Sequence, residues 1–505
     1  MKRTRPSRAL AAIGILLLLA SRPAATWSIV AVNTRTGEVC ISSATCLPRT
    51  DLTKATPSLV VGHGAGVIQA LVDPGIENRM RMRDGFLAGD SPQEILDLIA
   101  ELDPGFQARQ IGLVDLDVQH APVSFTGNGA GRAKGSIAGR VGDFAYAIQG
   151  NVLTGREVLE AAEAALRAST GDLGQRVLAG MIAARELGGD GRCSCGLQPT
   201  QCGVPPPNFD KSAHCGFLIV ARIGDTDGPC TVPDGCAAGD YYMNINIKGA
   251  NAYYDDPDPV DQIAERYATW RTNRQGRPDG ILSRVESVDS LPADGMTERE
   301  VRVHLVDVDG HELTHGGAAL AVAAASGSPS LFDVGPIEDD GDGSYRFTVR
   351  AGTKTGTEKL VITAEDDFLR ATLYPFLELR ADAASVLHAG LDAVSASADV
   401  TVPFSITDER RPRGKYWLFA SLGEAQHGHG RGHDPLLERG IIPTVTPFFP
   451  GPPGELDADG HADAEYRVPA GALLPLVGQR LEWTARLFGR GKPTESNTVG
   501  FDVLP

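Results

Sequence analysis

Residues 26–32 read Thr-Trp-Ser-Ile-Val-Ala-Val, and this stretch decides the fold of the N-terminal half of the chain. Its aromatic and β-branched residues are typical of a β-strand. If a preceding leader is cut off after Ala25, Thr26 becomes the N-terminus and carries both a hydroxyl and a free α-amine. An α-amine has an ordinary pKa of about 7.7–8.0 and can act as the base for that hydroxyl. Thr26 is therefore the predicted nucleophile, and an ordinary strand residue is the alternative.

The first 25 residues have the three parts of a secretory signal. Basic residues occupy Met1–Arg8, an apolar run fills Ala9–Ala20, and Ser21–Ala25 ends in two alanines. The apolar run is shorter than the roughly 20 residues of a spanning helix. An uncleaved anchor is the alternative, and Pro23 departs from the usual small-residue pattern at the cut. The signal predicts that the mature protein is secreted, periplasmic or on the cell surface, and because no later apolar run is long enough to span a membrane it is predicted to be soluble or peripherally held.

Composition limits the classes of protein and partner. A chain of 505 residues is too long for one core, and its 42% apolar and 22% charged residues are typical of globular domains. The net charge of −17 argues against nucleic acid as a partner, because phosphates would be repelled. Eight cysteines in an exported chain predict disulfides, with six of the cysteines between Cys193 and Cys236. A zinc site at Cys193-Ser-Cys195 is the weaker alternative, since C-x-C is not the usual ligand spacing.

The N-terminal half alternates between strand and helix patterns. Helices are predicted at 76–87, 91–102, 155–168 and 172–187. The second has the capping box Ser91–Glu94 with Pro92 at its first position. Strands are predicted at 26–33, 38–43, 59–61, 66–71, 109–116, 122–125, 144–149, 216–222 and 241–247. This order is expected when two sheets stack between helical layers.

Five segments in this half resemble the DUF1028 family, whose members look like N-terminal-nucleophile (Ntn) hydrolases. They are Thr26–Ala31, Gly66–Ala70, Gln149–Leu153, Gly189–Arg192 and Asp255–Val260. The resemblance covers residues 26–271 and implies a four-layer αββα sandwich that hydrolyses an amide or peptide-like bond. Two insertions, 193–211 and 225–238, depart from the family pattern. They are predicted to be disulfide-stapled surface loops, and covering a pocket is the alternative.

Four further residues are site candidates. Asn151 lies at a strand-to-helix turn, where its amide could donate to an oxyanion or simply cap the turn. Gln69 lies on an apolar strand and needs a buried partner, either in a site or in a structural hydrogen bond. Asp190 and Arg192 would orient the terminal amine or form a loop ion pair. His63, between glycines, is predicted to be an exposed loop residue rather than a base.

The C-terminal half is predicted to be all-β after a polar linker at 272–280. Short alternating strands at 281–366 predict a β-sandwich. The opening Leu291–Gly295 and the stretch Asp340–Tyr345 resemble invasin/intimin-type Ig-like domains of bacterial surface proteins. The acidic loop Glu338–Asp342 is predicted to be a tight turn, with calcium binding as the alternative.

Residues 371–505 form a third predicted all-β unit, with Tyr416, Trp417, Phe419, Trp483 and Phe488 as candidate core residues. Three histidines at 427, 429 and 433 lie in a Gly-rich stretch that is interpreted as a solvent loop, with a metal site as the alternative.

Two functions remain open. The first is an exported Ntn-type hydrolase of an amide or peptide-like bond, whose β-sandwich domains direct it to a surface or ligand. The second is a non-enzymatic cell-surface or extracellular protein that acts in adhesion or as a scaffold. The mature N-terminus separates them, because such an enzyme requires Thr26 as its first residue. Neither hypothesis requires a cofactor, and the oligomeric state is not set by the sequence.

Overall fold

A computed structural model describes residues 26–196, 200–293, 295, 297–352, 354–382, 385–408, 410–422, 454–489 and 493–505. The predicted signal and the stretch with histidines 427, 429 and 433 lie outside these residues. The chain divides after Asn273 into two compact units. The first is an α+β domain and the second contains β-sandwich-type domains, so the predicted multidomain fold class is confirmed at this level. Among the described residues, no helix combines the length and apolarity needed to cross a bilayer.

The strands of the N-terminal unit form two antiparallel sheets. The larger has the order β10–β9–β2–β1–β8–β7, and the smaller has the order β3–β4–β5–β6. The strands are β1 (Thr26–Asn33), β2 (Glu38–Thr45), β3 (Pro57–Val60), β4 (Gly64–Ala70), β5 (Arg109–Asp115), β6 (Val123–Thr126), β7 (Gly135–Val141), β8 (Phe144–Asn151), β9 (Cys215–Ala221) and β10 (Met243–Ile247). Every residue of β1 is buried, as expected for an inner strand covered on both faces.

Helices cover the outer face of each sheet. They are α1 (Glu77–Ala88), α2 (Pro92–Leu102), α3 (Glu157–Ala168), α4 (Leu173–Glu186), α5 (Gly191–Ser194) and α6 (Pro259–Arg274). Met82 and Phe86 of α1 and Ile99 of α2 pack on the smaller sheet. Helix α4 approaches β1 so closely that a Cβ on Gly180 would lie 2.8 Å from Ile29 Cδ1. The predicted strands and helices of this unit are confirmed to within two residues at each end.

Helix α6 was not predicted, although its start signal is present. The backbone N–H of Val260 donates to Asp258 Oδ1 at 2.8 Å, and Pro259 occupies the first helical position. The buried positions Val260, Ile263 and Tyr267 are spaced three and four residues apart, as on one helix face. The helix runs to Arg274, so it includes the first residues of the segment predicted as a linker. Strand β7 was also missed.

The predicted disulfides are present, although two of the eight cysteines are unpaired. Disulfides join Cys46 to Cys193, Cys195 to Cys202, and Cys230 to Cys236. Cys40 and Cys215 are free and buried. The predicted oxidation of the cysteines from Cys193 to Cys236 is therefore confirmed except at Cys215. The cause is strand geometry, because Cys215 opens β9, where its Sγ lies 3.1 Å from the carbonyl oxygen of Leu47.

Thiol counting should find two thiols in the unfolded, unreduced protein and eight after reduction, since the sequence has eight cysteines. In the native protein both thiols should resist alkylation at pH 8. Burial raises the pKa of Cys215 to about 12 and raises that of Cys40 as well, so neither forms the reactive thiolate. Six free thiols before reduction would contradict this pairing.

The first C-terminal sandwich contains β11 (Arg284–Val285), β12 (Leu291–Pro292), β13 (Glu298–His304), β14 (Ala319–Ala324), β15 (Phe332–Val334), β16 (Glu338–Asp339), β17 (Ser344–Ala351), β18 (Gly356–Glu365), β19 (Arg370–Thr372) and β20 (Leu377–Asp382). Sheets β11–β13–β17–β15 and β12–β20–β18–β14 share one core. Strand β20 pairs with β18, so this sandwich extends beyond the predicted end at residue 366. The acidic loop is a tight turn, as predicted, with Gly341 and Gly343 at positive φ.

The second sandwich contains β21 (Val386–Ala389), β22 (Ala393–Ser395), β23 (Val400–Thr407), β24 (Lys415–Leu422), β25 (Gly454–Glu455), β26 (His461–Val468), β27 (Arg480–Phe488), β28 (Thr494–Glu495) and β29 (Val499–Leu504). Trp483 is fully buried at its centre and Tyr416 is buried beside it, as predicted. Trp417 is instead 38% exposed, because neighbouring residues on a strand point to opposite faces. Trp417 contacts Phe419 and Phe488 on that outer face.

Candidate functional site

Thr26 lies at the start of β1, between β2 and β8 of the larger sheet. Its side chain is 2% exposed, and its residue pairs with Asn151 at the end of β8. Its backbone nitrogen donates to Asn151 Oδ1 at 3.1 Å, and its carbonyl oxygen accepts from Gln69 Nε2 at 2.8 Å. Two of the sequence-predicted site residues therefore hold the backbone of the predicted nucleophile from opposite sides.

Asn151 is fully buried, and both ends of its amide are engaged. Its Oδ1 accepts from the Thr26 nitrogen, while its Nδ2 donates to the carbonyl oxygen of Ala130 at 2.9 Å. In this geometry the amide positions the nitrogen of Thr26. Asn151 therefore contacts Thr26 directly, which its position in the sequence alone did not predict.

Gln69 belongs to a buried polar network between the two sheets. Its Oε1 accepts from Ser28 Oγ at 2.5 Å, and its Nε2 also donates to Gln110 Oε1 at 2.9 Å. Ser28 Oγ lies 2.7 Å from Ser43 Oγ, and Gln110 Nε2 donates to the carbonyl oxygen of Gly150 at 2.8 Å. Buried amides satisfied in this way rigidify the contact between the sheets and thereby fix the site.

Several members of this network were not predicted from the sequence. Gln149 is a further one: its Nε2 donates to the carbonyl oxygen of Ser28 at 3.3 Å. It fits between the sheets because the facing residue is Gly112, where a Cβ would lie 2.1 Å from Gln149 Oε1. The sequence does contain a signal for Gln149, because it is a polar residue within an apolar strand. The same is true of Ser28 and Gln110.

Asp190 and Arg192 form an ion pair next to the end of β2, with the carboxylate fully buried and the Arg192 side chain 26% exposed. Arg192 Nη2 lies 2.7 Å from Asp190 Oδ2, and the same oxygen accepts from the backbone nitrogen of Cys46 at 2.7 Å. Arg192 Nη2 also donates to Thr45 Oγ1 at 3.1 Å. Trp27 pairs with Ala44, so Thr26 and Thr45 end the β1–β2 ladder beside each other. Thr45 therefore lies between the ion pair and Thr26, the predicted nucleophile.

His63 lies apart from this site. It occupies the exposed turn that precedes β4, whereas Gln69 lies near the other end of that strand. Six residues of strand separate the two by about 20 Å. The prediction of an exposed loop histidine is confirmed.

Backbone strain accompanies two of the site residues. Ala70, directly after Gln69, has φ 70°, and Val152, directly after Asn151, has φ 53°. For a β-branched residue such as valine a positive φ is a genuine outlier. Strain of this kind costs about 1–3 kcal/mol and concentrates at functional sites. No sequence pattern predicts a left-handed valine.

Residues 26–200 match the model of a family of unknown function, DUF1028, so this part of the N-terminal unit is similar to that family. Residues 282–372 match the model of invasin domain 3. No curated protein matches the chain. The invasin-type domain and the disulfides of the N-terminal unit indicate an extracellular or cell-surface location.

Several solved structures are similar to parts of the chain. A DUF1028 protein of Silicibacter pomeroyi has 21% identity and a TM-score of 0.34, and the match covers 48% of this chain and 88% of that one. The adhesin InvE of Yersinia pseudotuberculosis has 15% identity and a TM-score of 0.21 over 45% and 60%. The Escherichia coli adhesin FdeC has 12% identity and a TM-score of 0.20 over 79% and 92%.

Proposed function

We propose that the protein is an exported Ntn-type hydrolase of an amide or peptide-like bond, with Thr26 as its nucleophile. The hydrogen bond from the Thr26 nitrogen to Asn151 Oδ1 carries the proposal, because it fixes the atom that becomes the α-amine in the mature protein. Two facing sheets with helices on their outer faces support the αββα architecture that such hydrolases share. The strained residues after Gln69 and Asn151 give further support.

The proposed reaction uses groups of one residue. In the mature protein, the neutral amine of Thr26 takes the proton of its own Oγ while Oγ attacks the substrate carbonyl carbon. The resulting ammonium returns a proton to the leaving amine, and an ester of Thr26 remains. Water then hydrolyses the ester, with the amine again accepting a proton. The developing oxyanion is assigned to nearby backbone amides, because Asn151 Nδ2 already donates to Ala130.

Asp190 and Arg192 have a positioning role in this scheme. The pair is anchored to β2 through the backbone of Cys46 and the hydroxyl of Thr45. Because the carboxylate and the guanidinium neutralise each other, the pair acts by anchoring the end of β2 beside Thr26 and not through a net charge.

Hydrolysis should rise with pH through the pKa of the Thr26 amine. Only the neutral amine accepts the hydroxyl proton, so the rate should increase with pH, with a midpoint at about 7.7–8.0. The measurement is the pH profile of kcat/KM on an amide or peptide substrate found by screening the secreted protein. A rate that falls as the pH rises through this midpoint would contradict the amine as base.

Adhesion is the second candidate, favoured by an aromatic cluster on the second sandwich. Trp417, which is 38% exposed, contacts the half-buried rings of Phe419 and Phe488 on the outer face, and the Arg486 guanidinium lies over Phe488. Exposed aromatic and arginine side chains are typical of binding hot spots. If this face adheres, Trp417→Ala should weaken binding of the full-length mature protein to cells or matrix by at least tenfold. The control Leu504→Ala alters another exposed apolar residue of the same sandwich. Equal binding by both variants would reject this surface.

A further inference from the structure

A cluster of side chains that hydrolysis does not use lies beside the candidate site. The Sγ atoms of Cys46 and Cys193 and a ring nitrogen of His214 all lie within 4.8 Å of one another. Among the described residues, this is the one group of three histidine, cysteine or acidic side chains whose ligand atoms come so close. Cys46 and Cys193 are joined as a disulfide, and they lie 147 residues apart in the sequence. Only the fold brings the three together.

His214 is the unusual member of the cluster. Its residue is 5% exposed, and its Nδ1 is buried with no hydrogen-bond partner among the described residues. The ring is held in place, because the His214 backbone N–H donates to the carbonyl oxygen of Thr45 at 2.9 Å and Tyr254 packs edge-on at 4.7 Å. A buried nitrogen without a partner is costly, and such a group in a native structure calls for an explanation.

We propose that reduction of the Cys46–Cys193 disulfide converts this cluster into a site for a thiophilic divalent cation such as Zn²⁺. The ligands are the two sulfurs and a ring nitrogen of His214. Two thiolates and one imidazole form a ligand set that zinc accepts, with water in the fourth position. The disulfide alone does not explain why the buried Nδ1 of His214 has no hydrogen-bond partner among the described residues.

The conversion balances chemically. A dithiol transfers two electrons and two protons to the disulfide and is itself oxidised to a disulfide. The cation then displaces the two thiol protons and binds the thiolates. Both cysteines are partly exposed, so a reductant can reach them, whereas the imidazole is buried. The site is independent of the proposed hydrolysis, although Cys46 is anchored to Asp190 through its backbone nitrogen.

The test is a Co²⁺ titration of the mature full-length protein after reduction by a phosphine under anaerobic conditions. We expect one Co²⁺ per chain, thiolate-to-cobalt charge-transfer absorption, and displacement of the cobalt by Zn²⁺. The oxidised protein should show no such band. Cys193→Ser and His214→Phe, which keeps an aromatic ring, should each weaken binding by at least tenfold.

A matched control tests whether Co²⁺ binding requires the proposed cluster or can use any reduced pair of cysteines. The double variant Cys195→Ser/Cys202→Ser removes a neighbouring disulfide outside the cluster and should bind Co²⁺ like the unmodified protein. Circular dichroism of each reduced variant verifies its fold, and Cys46→Ser replaces any variant that does not fold. The proposal is overturned if the reduced protein shows no thiolate-to-cobalt band or if His214→Phe binds Co²⁺ with unchanged affinity. It is also overturned if the band disappears in the Cys195→Ser/Cys202→Ser variant.

Discussion

Thr26→Ala should abolish amide hydrolysis while the fold survives. The variant keeps the α-amine and its bond to Asn151 but lacks the attacking Oγ, so the rate should fall by at least about a thousandfold, as when other nucleophiles are removed. The removed hydroxyl contributes only about 1 kcal/mol to stability. The measurement compares kcat/KM on the screened substrate and the melting temperatures of the two proteins. Activity above about a tenth of the original rate would refute the assignment of Thr26 as the nucleophile.

Two further variants separate the hydroxyl from the amine. Thr26→Ser keeps both groups and should retain part of the rate. One extra residue placed before Thr26 turns the amine into an amide, which is not a useful base, so this form should be nearly as inactive as Thr26→Ala. Full activity in the extended form would exclude the amine mechanism even if the hydroxyl were required. Loss of activity in all three variants, with Thr26→Ser folded, would point to a structural role of the threonine.

Asp190→Ala should destabilise the N-terminal unit by about 1–3 kcal/mol, the cost of leaving hydrogen-bond donors without their acceptor. Asp190 is fully buried and accepts hydrogen bonds from Arg192 and the backbone of Cys46, so the change leaves a partly buried guanidinium and a partly buried N–H without their acceptor. Urea unfolding, followed by hydrogen exchange on peptides of this domain with the disulfides intact, measures the loss.

An exposed pair in the same domain provides the control. Arg185 Nη2 lies 2.7 Å from Asp261 Oδ2, and the Asp261 side chain is 50% exposed. Asp261→Ala should therefore cost less than about 1 kcal/mol. Similar small losses for both variants would contradict the structural importance assigned to the Asp190–Arg192 pair.

The local part of this fold could be predicted from the sequence. The aromatic and β-branched residues of 26–32 predicted β1, and Ser91 with Glu94 predicted the start of α2, because both signals act over a few residues. Helix α6 had an equally local signal in Asp258 and Pro259. It was missed because that segment was interpreted only as a family motif.

The tertiary part could not be predicted in the same way. Gln69 was expected to need a buried partner, but its partners Ser28 and Gln110 come from strands that only the stacking of two sheets brings together. The pairing of Cys46 with Cys193 likewise depends on the end of β2 meeting the start of α5. Spacing along the chain does not contain that information.

The N-terminus of the secreted protein, determined by Edman degradation and intact mass, tests the central claim most directly. The proposed mechanism requires cleavage after Ala25, so the mature chain should begin Thr-Trp-Ser-Ile-Val. A mature chain with any residue remaining before Thr26 would have no α-amine at that position. It would contradict the assignment of Thr26 as an N-terminal nucleophile.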